Sequence, residues 1–353
     1  MCSKQISFKM GSKMIGDGCP AYIIAELSCN HRQDYSIAER SIDAIAASGA
    51  DAVKLQTARP DRLTLDCNRK EFIISGGTPW DGRTLYDLYC ETQTPWDWHK
   101  PLMERAHSKG LDFFSSPFDE GAIEFLVGLG VPAFKIASFE AIDPQLIRAA
   151  AKHQLPVIIS TGVSSEEDIE MGVEACRSVG NEKVILTKCT SAYPAELSDA
   201  NLRAIPQMRK RFNCSVGLSD HTIGGFVAAA SVAVGSCLIE KHFILDRKLG
   251  GPDAGFSMEP HEFKEMVEQV RLMEAALGSK DVGVGGKASS NRIFARSLFV
   301  VEDIKAGELL NPQNVRSIRP GYGLPPKEFD RVVGSRAKVD LQRGTPLAWE
   351  LID

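Results

Sequence analysis

The 353-residue chain has only seven histidines, and two of them close apolar runs. "VGLSDHT" places Ser219, Asp220 and His221 side by side, and "CLIEKHF" carries Glu240, Lys241 and His242. Ser, Asp and His are the parts of a hydrolase triad. A triad, however, holds the imidazole between serine and carboxylate, with the serine on a sharp elbow such as G-x-S-x-G. Three consecutive residues at the end of an extended run cannot supply that geometry. The lysines are equally out of place. Lys54 in "AVKLQT" and Lys135 in "AFKIAS" sit inside apolar runs, where an ammonium group is costly unless paired. A phosphate would pair with them, with Ser138, Ser160 and Ser191 adding hydrogen bonds. A lysine nucleophile forming a Schiff base is the competing chemistry, and Lys135 or Lys188 would serve.

These residues need a scaffold, and the chain repeats one. Eight short apolar, β-branched runs recur: "YIIAEL" (22–27), "AVKLQT" (52–57), "LDFFSSP" (111–117), "AFKIAS" (133–138), "VIISTG" (157–162), "VILTKCT" (184–190), "SVGLSD" (215–220) and "CLIEKHF" (237–243). Helical patterns separate them. "YSIAERSIDAIAASG" spaces Ile37, Ile42, Ile45 and Ala46 on one side and stops at Gly49. "DEGAIEFLVGLG" opens on acidic residues and closes on glycine, and "SSEEDIEMGVEACRSVG" runs from serines to Gly180. Strand and helix in alternation predict an α/β fold, a parallel (β/α)8 barrel. A doubly wound open sheet is the rival, but no G-x-G-x-x-G follows the first run.

Active sites of such barrels lie at the C-terminal ends of the strands. Reading the run ends in order yields Glu26; Lys54 and Gln56; Ser115 and Ser116; Lys135 and Ser138; Ser160 and Thr161; Lys188, then Ser191 and Tyr193; Ser219 to His221; Glu240 and His242. Any one could be a satisfied loop residue, but as a set they predict a polar pocket. Period two puts Lys54 with Gln56, Ser219 with His221, and Glu240 with His242 on common faces, and turns Asp220 away. His221 and His242 end neighbouring strands about 4.8 Å apart, so their rings could converge on one metal ion with open positions for water and substrate oxygens. The same spacing suits two hydrogen-bonding histidines, and no third His or Cys ligand is evident.

Two stretches break the rhythm. Insert 58–99 contains "GGTPWDGRTLYDLYCETQTPWDWH" with three of the four tryptophans, and reads as a helix with an apolar lid or as a loop covering substrate. "LGSKDVGVGGKASSNR" (277–292) reads as a linker, placing the barrel at 15–276 and a small β-rich module at 293–353. Charged residues make up 25% with net charge −5, so there is no basic field for nucleic acid. No apolar run reaches the ~20 residues that span a bilayer, and the N-terminus has no apolar signal core. The nine cysteines show no C-x-x-C spacing; Cys189 and Cys237 read as small buried hydrophobes, and a reducing cytoplasm fits.

In this order, "AELSCNH", "ADAVKLQT", "FSSPFD", "FKIASFE", "ISTG", "YP", "GLSDH", "IEKHF" and "GGPD" resemble the sialic acid synthase family, and "AGELLNPQNVRSIRPGYGLPP" looks like its antifreeze-like SAF domain. The resemblance spans roughly residues 15–353. It implies a transferase that condenses phosphoenolpyruvate with an amino sugar. The insert and "ASFE" look most like the pseudaminic acid synthase branch, which implies a 2,4-diacetamido-2,4,6-trideoxy sugar; N-acetylneuraminate or legionaminate chemistry is the alternative. A Schiff-base aldolase and a non-catalytic sugar-binding protein are more remote. By resemblance, Lys54, Ser116, Lys135, Ser138, Ser160, Ser191 and Ser219 would hold phosphoenolpyruvate. Gln56, Phe118, Tyr193 and Asp253 would contact the sugar, and Glu26 and Glu140 would be the acid/base carboxylates. His221 and His242 would hold a divalent ion, Mn²⁺ ahead of Mg²⁺ or Co²⁺, and Arg319 would reach the barrel of the partner in a domain-swapped homodimer. Ser191, where the family commonly has Asn, and Phe139, where it has Gly, are departures that bear on the sugar and leave the reaction unchanged. The resemblance also moves the phosphate away from strands seven and eight, its frequent place in such barrels.

Overall fold

The computed structural model describes residues 6–78, 80–278, 282–283 and 285–353. Residues 1–5, and 279–281 and 284 of the expected linker, lie outside the described residues. The chain divides into two compact units, Met1–Gly278 and Ser279–Asp353.

The first unit opens with an antiparallel pair, β1 (Ser7–Met10) and β2 (Lys13–Gly16). Its turn at Gly11 has φ +57°, and a Cβ there would lie 2.2 Å from an Asp112 oxygen. That closeness is functional in the fold, because Asp112 accepts hydrogen bonds from Ser12 N (3.0 Å) and the Tyr22 hydroxyl (2.7 Å). The hairpin is thereby fastened to the N-terminal end of the sheet, where Met10 and Ile15 are buried.

Eight parallel strands follow: β3 (Tyr22–Glu26), β4 (Ala52–Thr57), β5 (Asp112–Pro117), β6 (Phe134–Ile136), β7 (Val157–Ser160), β8 (Val184–Cys189), β9 (Ser215–Asp220) and β10 (Leu238–His242). Each falls within one of the eight apolar runs. They close in sequence order, β10 pairing back onto β3. The predicted helices form between them. Asp34 caps the helix Tyr35–Ala47 by accepting from Ser36 N (2.8 Å), and a reciprocal Ser165–Asp168 capping box starts Glu166–Arg177. Alternation along the strands sorts the side chains. Ile23, Val53 and Phe113 pack outward with Ile42, Leu102 and Phe263 of the helices. The alternate positions point into the barrel, apolar at the N-terminal end (Ile24, Phe114) and polar at the C-terminal end.

The second unit is built around a short antiparallel pair, β11 (Ser297–Val300) and β12 (Val315–Ile318). Isolated bridges, such as Ile304 with Leu341, extend the β character, and Leu298, Val300, Val315, Leu341 and Leu347 form its core. Within the expected linker, Gly286–Ser290 is a short helix.

Candidate active site

Register brings the polar strand ends together. Glu26 lies beside Lys54 on β4 and beside His242 on β10, and Glu240 lies beside Ser219 on β9. The side chains complete an array across the barrel. Lys54 Nζ is 2.9 Å from Glu26 Oε2 and 3.1 Å from Glu240 Oε1. Lys135 Nζ is 2.9 Å from the same Glu240 oxygen, which also accepts from Ser219 Oγ at 3.0 Å. All four charged side chains are at most 4% exposed. Burial works against both carboxylates, but the lysines outweigh it: Lys54, His242 and Lys135 hold Glu26 well below the usual carboxylate range, and Lys135 and Lys54 hold Glu240 down. Burial would lower Lys54, yet Glu240 and Glu26 raise it, while Lys135, buried and repelled by Lys54, ends below its usual value despite Glu240. Gln56 donates to the other Glu26 oxygen at 2.8 Å.

The histidines end adjacent strands, as their spacing predicts, with ring centroids 5.3 Å apart. Asp220 faces away and pairs with Lys241 at 2.6 Å, so no Ser–His–Asp relay exists in "SDH". His221 Nδ1 lies 3.0 Å from the Thr190 carbonyl. That contact assigns the proton to Nδ1 and leaves the Nε2 lone pair available. His242 Nδ1 is buried and makes no hydrogen bond, although Asp253 Oδ2 is 3.4 Å away; its Nε2 is 3.3 Å from Glu26 Oε2. An unpartnered buried ring nitrogen beside a second imidazole with its tautomer fixed suits a divalent ion. No group of three or more His, Cys, Asp or Glu arranged for a metal occurs among the described residues, so two imidazoles would leave most positions to water and substrate.

Ser116, Ser138 and Ser160 line the same cavity as the lysines. Ser116 Oγ is buried without a hydrogen-bond partner, and Ser160 Oγ is 2.9 Å from Thr187 Oγ1. Ser138 Oγ accepts from Gly162 N (3.3 Å) and lies 3.5 Å from Cys189 Sγ. A Cβ on Gly162 would come 2.1 Å from Ser191 Oγ and 2.8 Å from Ser138 Oγ, so any side chain at the glycine of "ISTG" would displace these hydroxyls.

The array opens into a cavity of about 470 Å³, within the range of small-molecule sites. Fourteen of the sixteen expected site residues line it: Glu26, Lys54, Gln56, Ser116, Phe118, Lys135, Ser138, Glu140, Ser160, Tyr193, Ser219, His221, His242 and Asp253. Ser191 stands off the lining, its Oγ 3.8 Å from Cys189 Sγ. Arg319 is an exposed residue after β12, in the second unit. Lys188 turns to the Cys189 carbonyl (2.8 Å) and does not line the cavity.

Three roles emerge only in the structure. Glu240, one of the run-end residues that predict the pocket, is the shared counter-ion of both lysines. Cys189 lines the cavity beside His221 instead of serving as an ordinary core residue. The insert divides its aromatics: Trp80 and Tyr89 line the cavity. Trp96 stacks on Phe125 (4.6 Å), and Trp98 packs edge-on against Tyr35 (5.4 Å). Trp96 and Trp98 belong to the crossover helix Trp96–Ser108, so the covering segment is shorter than residues 58–99.

Glu140 follows β6 and lines the cavity, with Oε2 buried and unbonded. Burial raises its carboxyl from 4.5 to about 7, against a smaller opposing pull from Lys135. The raised value stabilises the protonated folded state, so this contribution is complete below about pH 4.5 and lost as pH rises through about 7. Glu140→Gln, which cannot ionise, should therefore gain stability over the parent as pH rises across that window. Allowing for partial exposure, the gain should reach about 1–3 kcal/mol by pH 8. Urea midpoints at pH 5 and pH 8 test this; an equal difference at both would place the ionised carboxylate in water.

Residues 41–282 match the NeuB family, and residues 295–353 match the SAF domain. The chain is 45% identical over 326 residues to the pseudaminic acid synthase of Campylobacter jejuni strain 81-176, covering 92% of this chain and 95% of that protein. It is 36% identical over 352 residues to the N,N'-diacetyllegionaminic acid synthase of Legionella pneumophila, covering 97% and 98%. The N-acetylneuraminic acid synthetase of Leptospira borgpetersenii, solved with citrate, superposes with a TM-score of 0.73 at 31% identity, covering 81% of this chain and 95% of that one. With a closed eight-stranded barrel and a carboxylate–lysine array at its C-terminal mouth, the chain belongs to the NeuB family and ends in a SAF domain.

Proposed function

We propose that this chain is a pseudaminic acid synthase, which joins phosphoenolpyruvate to 2,4-diacetamido-2,4,6-trideoxy-L-altropyranose and water, releasing phosphate. The buried Glu26–Lys54–Glu240–Lys135 array beside His221 and His242 is the observation that carries the chemistry. The higher identity to the Campylobacter synthase than to the Legionella one favours this sugar over the legionaminate alternative.

In this reading Lys54 and Lys135 face the carboxylate and phosphate of phosphoenolpyruvate, and Ser116, Ser138, Ser160 and Ser219 donate to its oxygens. Ser191 supports that group from behind Cys189. Gln56, Phe118, Tyr193 and Asp253 border the sugar. C3 of phosphoenolpyruvate forms the new bond to the aldehyde carbon of the open-chain sugar, and positive charge develops at C2. Glu26, held ionised by Lys54, is placed to stabilise that charge and take a proton from the water that adds there. The C2–O bond to phosphate then breaks, and the keto acid forms. Glu140, near half-protonated at neutral pH, serves proton transfer on the sugar side. A divalent ion held by His221 and His242, with Mn²⁺ ahead of Mg²⁺ or Co²⁺, would supply Lewis-acid polarisation of the aldehyde and positive charge that the neutral lysine–carboxylate array lacks.

Residues 15–276 are the catalytic barrel in this reading, 277–292 the linker and 293–353 the SAF domain, which carries Arg319 to the sugar in a partner's barrel within a domain-swapped homodimer. No helix among the described residues is long and apolar enough to cross a membrane. We place the reaction in the cytoplasm on separate grounds, the scattered cysteines without C-x-x-C spacing and the phosphoenolpyruvate the reaction consumes.

The test is phosphate release from bridge-labelled [¹⁸O]phosphoenolpyruvate with this sugar, its legionaminate-series isomer and N-acetylmannosamine. We expect the highest kcat/KM with the L-altro sugar and the label in inorganic phosphate. A better N-acetylmannosamine substrate overturns the sugar, and label kept in the keto acid overturns the role of Glu26. Lys135, with its lowered amine, favours one rival: a Schiff-base aldolase, which borohydride would trap as a lysine adduct with pyruvate.

A further inference from the structure

Trp80 presents an anomaly. Its indole lines the cavity, yet its Nε1 is shielded from water and has no hydrogen-bond partner. Buried donors in native proteins are rarely left unpaired, and the exceptions call for a reason such as an absent ligand. The ring is not loosely placed. Asp81 ties the loop that carries it, accepting from Gly77 N (2.9 Å), Thr78 N (2.9 Å) and Thr78 Oγ1 (2.7 Å). The loop is closed at its base by Ile74 N to the Arg83 carbonyl (2.8 Å) and returned by Gly82 N to the Ile74 carbonyl (2.9 Å). Behind it, Glu91 joins Arg83 (2.7 Å) to Arg32 (3.0 Å), anchoring the insert to the loop after β3.

The surroundings define what could satisfy the donor. Ile74, Leu85 and Leu88 from the same insert line the cavity with Trp80, so this wall is largely apolar. A group that offers one acceptor oxygen and one methyl matches such a wall, and an acetamido group is that. Position then chooses between the two acetamido groups of the sugar. Trp80 lies 5.9 Å from the Tyr193 ring, which in turn lies 4.4 Å from His221. The C2 acetamido is bonded next to the reacting carbon, close to the histidines. The C4 acetamido is two carbons further along the chain, toward the second ring.

We infer that Trp80 is a specificity-determining residue whose indole N–H donates to the carbonyl oxygen of the sugar's C4 acetamido group. This rests on the synthase reading above. A site built around a hydrogen bond discriminates against a substrate lacking the group, because its own donor is then left unpaired.

The experiment compares two sugars, 2,4-diacetamido-2,4,6-trideoxy-L-altrose and its 4-hydroxy counterpart, with Trp80, Trp80→Phe and Trp80→His enzymes. Phenylalanine keeps an aromatic wall and removes the donor; histidine restores a ring N–H. For Trp80→Phe we expect kcat/KM for the diacetamido sugar to fall about tenfold, mostly through KM, with KM for phosphoenolpyruvate unchanged. The 4-hydroxy sugar should change less than about threefold, and Trp80→His should recover part of the loss. Equal losses on both sugars, or none on either, overturn the inference while leaving the synthase reading intact. Absence of phosphate release by the parent enzyme with either sugar overturns that reading, and the inference with it.

Discussion

Exhaustive chelation should bring phosphate release to background, and Mn²⁺, Co²⁺ or Mg²⁺ should restore it. The expectation rests on two nitrogens. His221 donates through Nδ1 to the Thr190 carbonyl (3.0 Å), which leaves Nε2 free to ligate. His242 has a buried Nδ1 without a hydrogen bond, 3.4 Å from Asp253 Oδ2, while its Nε2 lies 3.3 Å from Glu26 Oε2. Replacing His242 by Ala should cost at least about a hundredfold in kcat, the scale of several kcal/mol lost when Lewis-acid polarisation is removed. The parent should show a rise in thermal midpoint on adding Mn²⁺, and the variant should not, while keeping the parent's far-UV spectrum. Full turnover after chelation, or an Mn²⁺ shift that survives in His242→Ala, would remove these histidines from the metal site.

The second large effect concerns Glu240. Its Oε1 is shared by Lys54 (3.1 Å), Lys135 (2.9 Å) and Ser219 (3.0 Å) inside the barrel. Glu240→Ala would leave two buried ammonium groups with Glu26 as their remaining nearby counter-charge. Removing one partner from a buried ion pair costs about 3–5 kcal/mol, because the other charge stays desolvated. At about 2–4 °C per kcal/mol for a domain of this size, the thermal midpoint should drop by roughly 6–20 °C. Lys135→Met combined with Glu240→Leu removes one charge of each sign and should recover most of that loss. The double variant should remain inactive, since in the proposed reading a single cation would be left to meet phosphoenolpyruvate. A single variant melting within about 2 °C of the parent would show that water or another residue already compensates the lysines.

Much of this protein is legible in one dimension. Each barrel strand lies within a short apolar run, and the helices start and stop at residues that cap them, because periodicity and capping are local properties of the chain. Period two also tells which side chains share a face. Ser219 and His221 turn into the cavity while Asp220 leaves it for Lys241, as alternation requires. Knowing that active groups gather at the C-terminal strand ends brings the polar strand-end groups of the cavity, from Glu26 to His242, within reach of sequence. Only closure of the barrel decided the rest. Glu240 meets Lys54 and Lys135 because β10 returns to β3 and sets β4 and β6 across the same interior, a relation absent from any local window. Trp80 lines the cavity while Trp96 and Trp98 pack on helices, although all three share one insert, since depth depends on where each element docks. Burial is likewise a property of the assembled molecule. It raises Glu140 toward neutrality and makes Glu26 depend on Lys54 for its charge, because desolvation and charge pairing act through space, independently of distance along the chain.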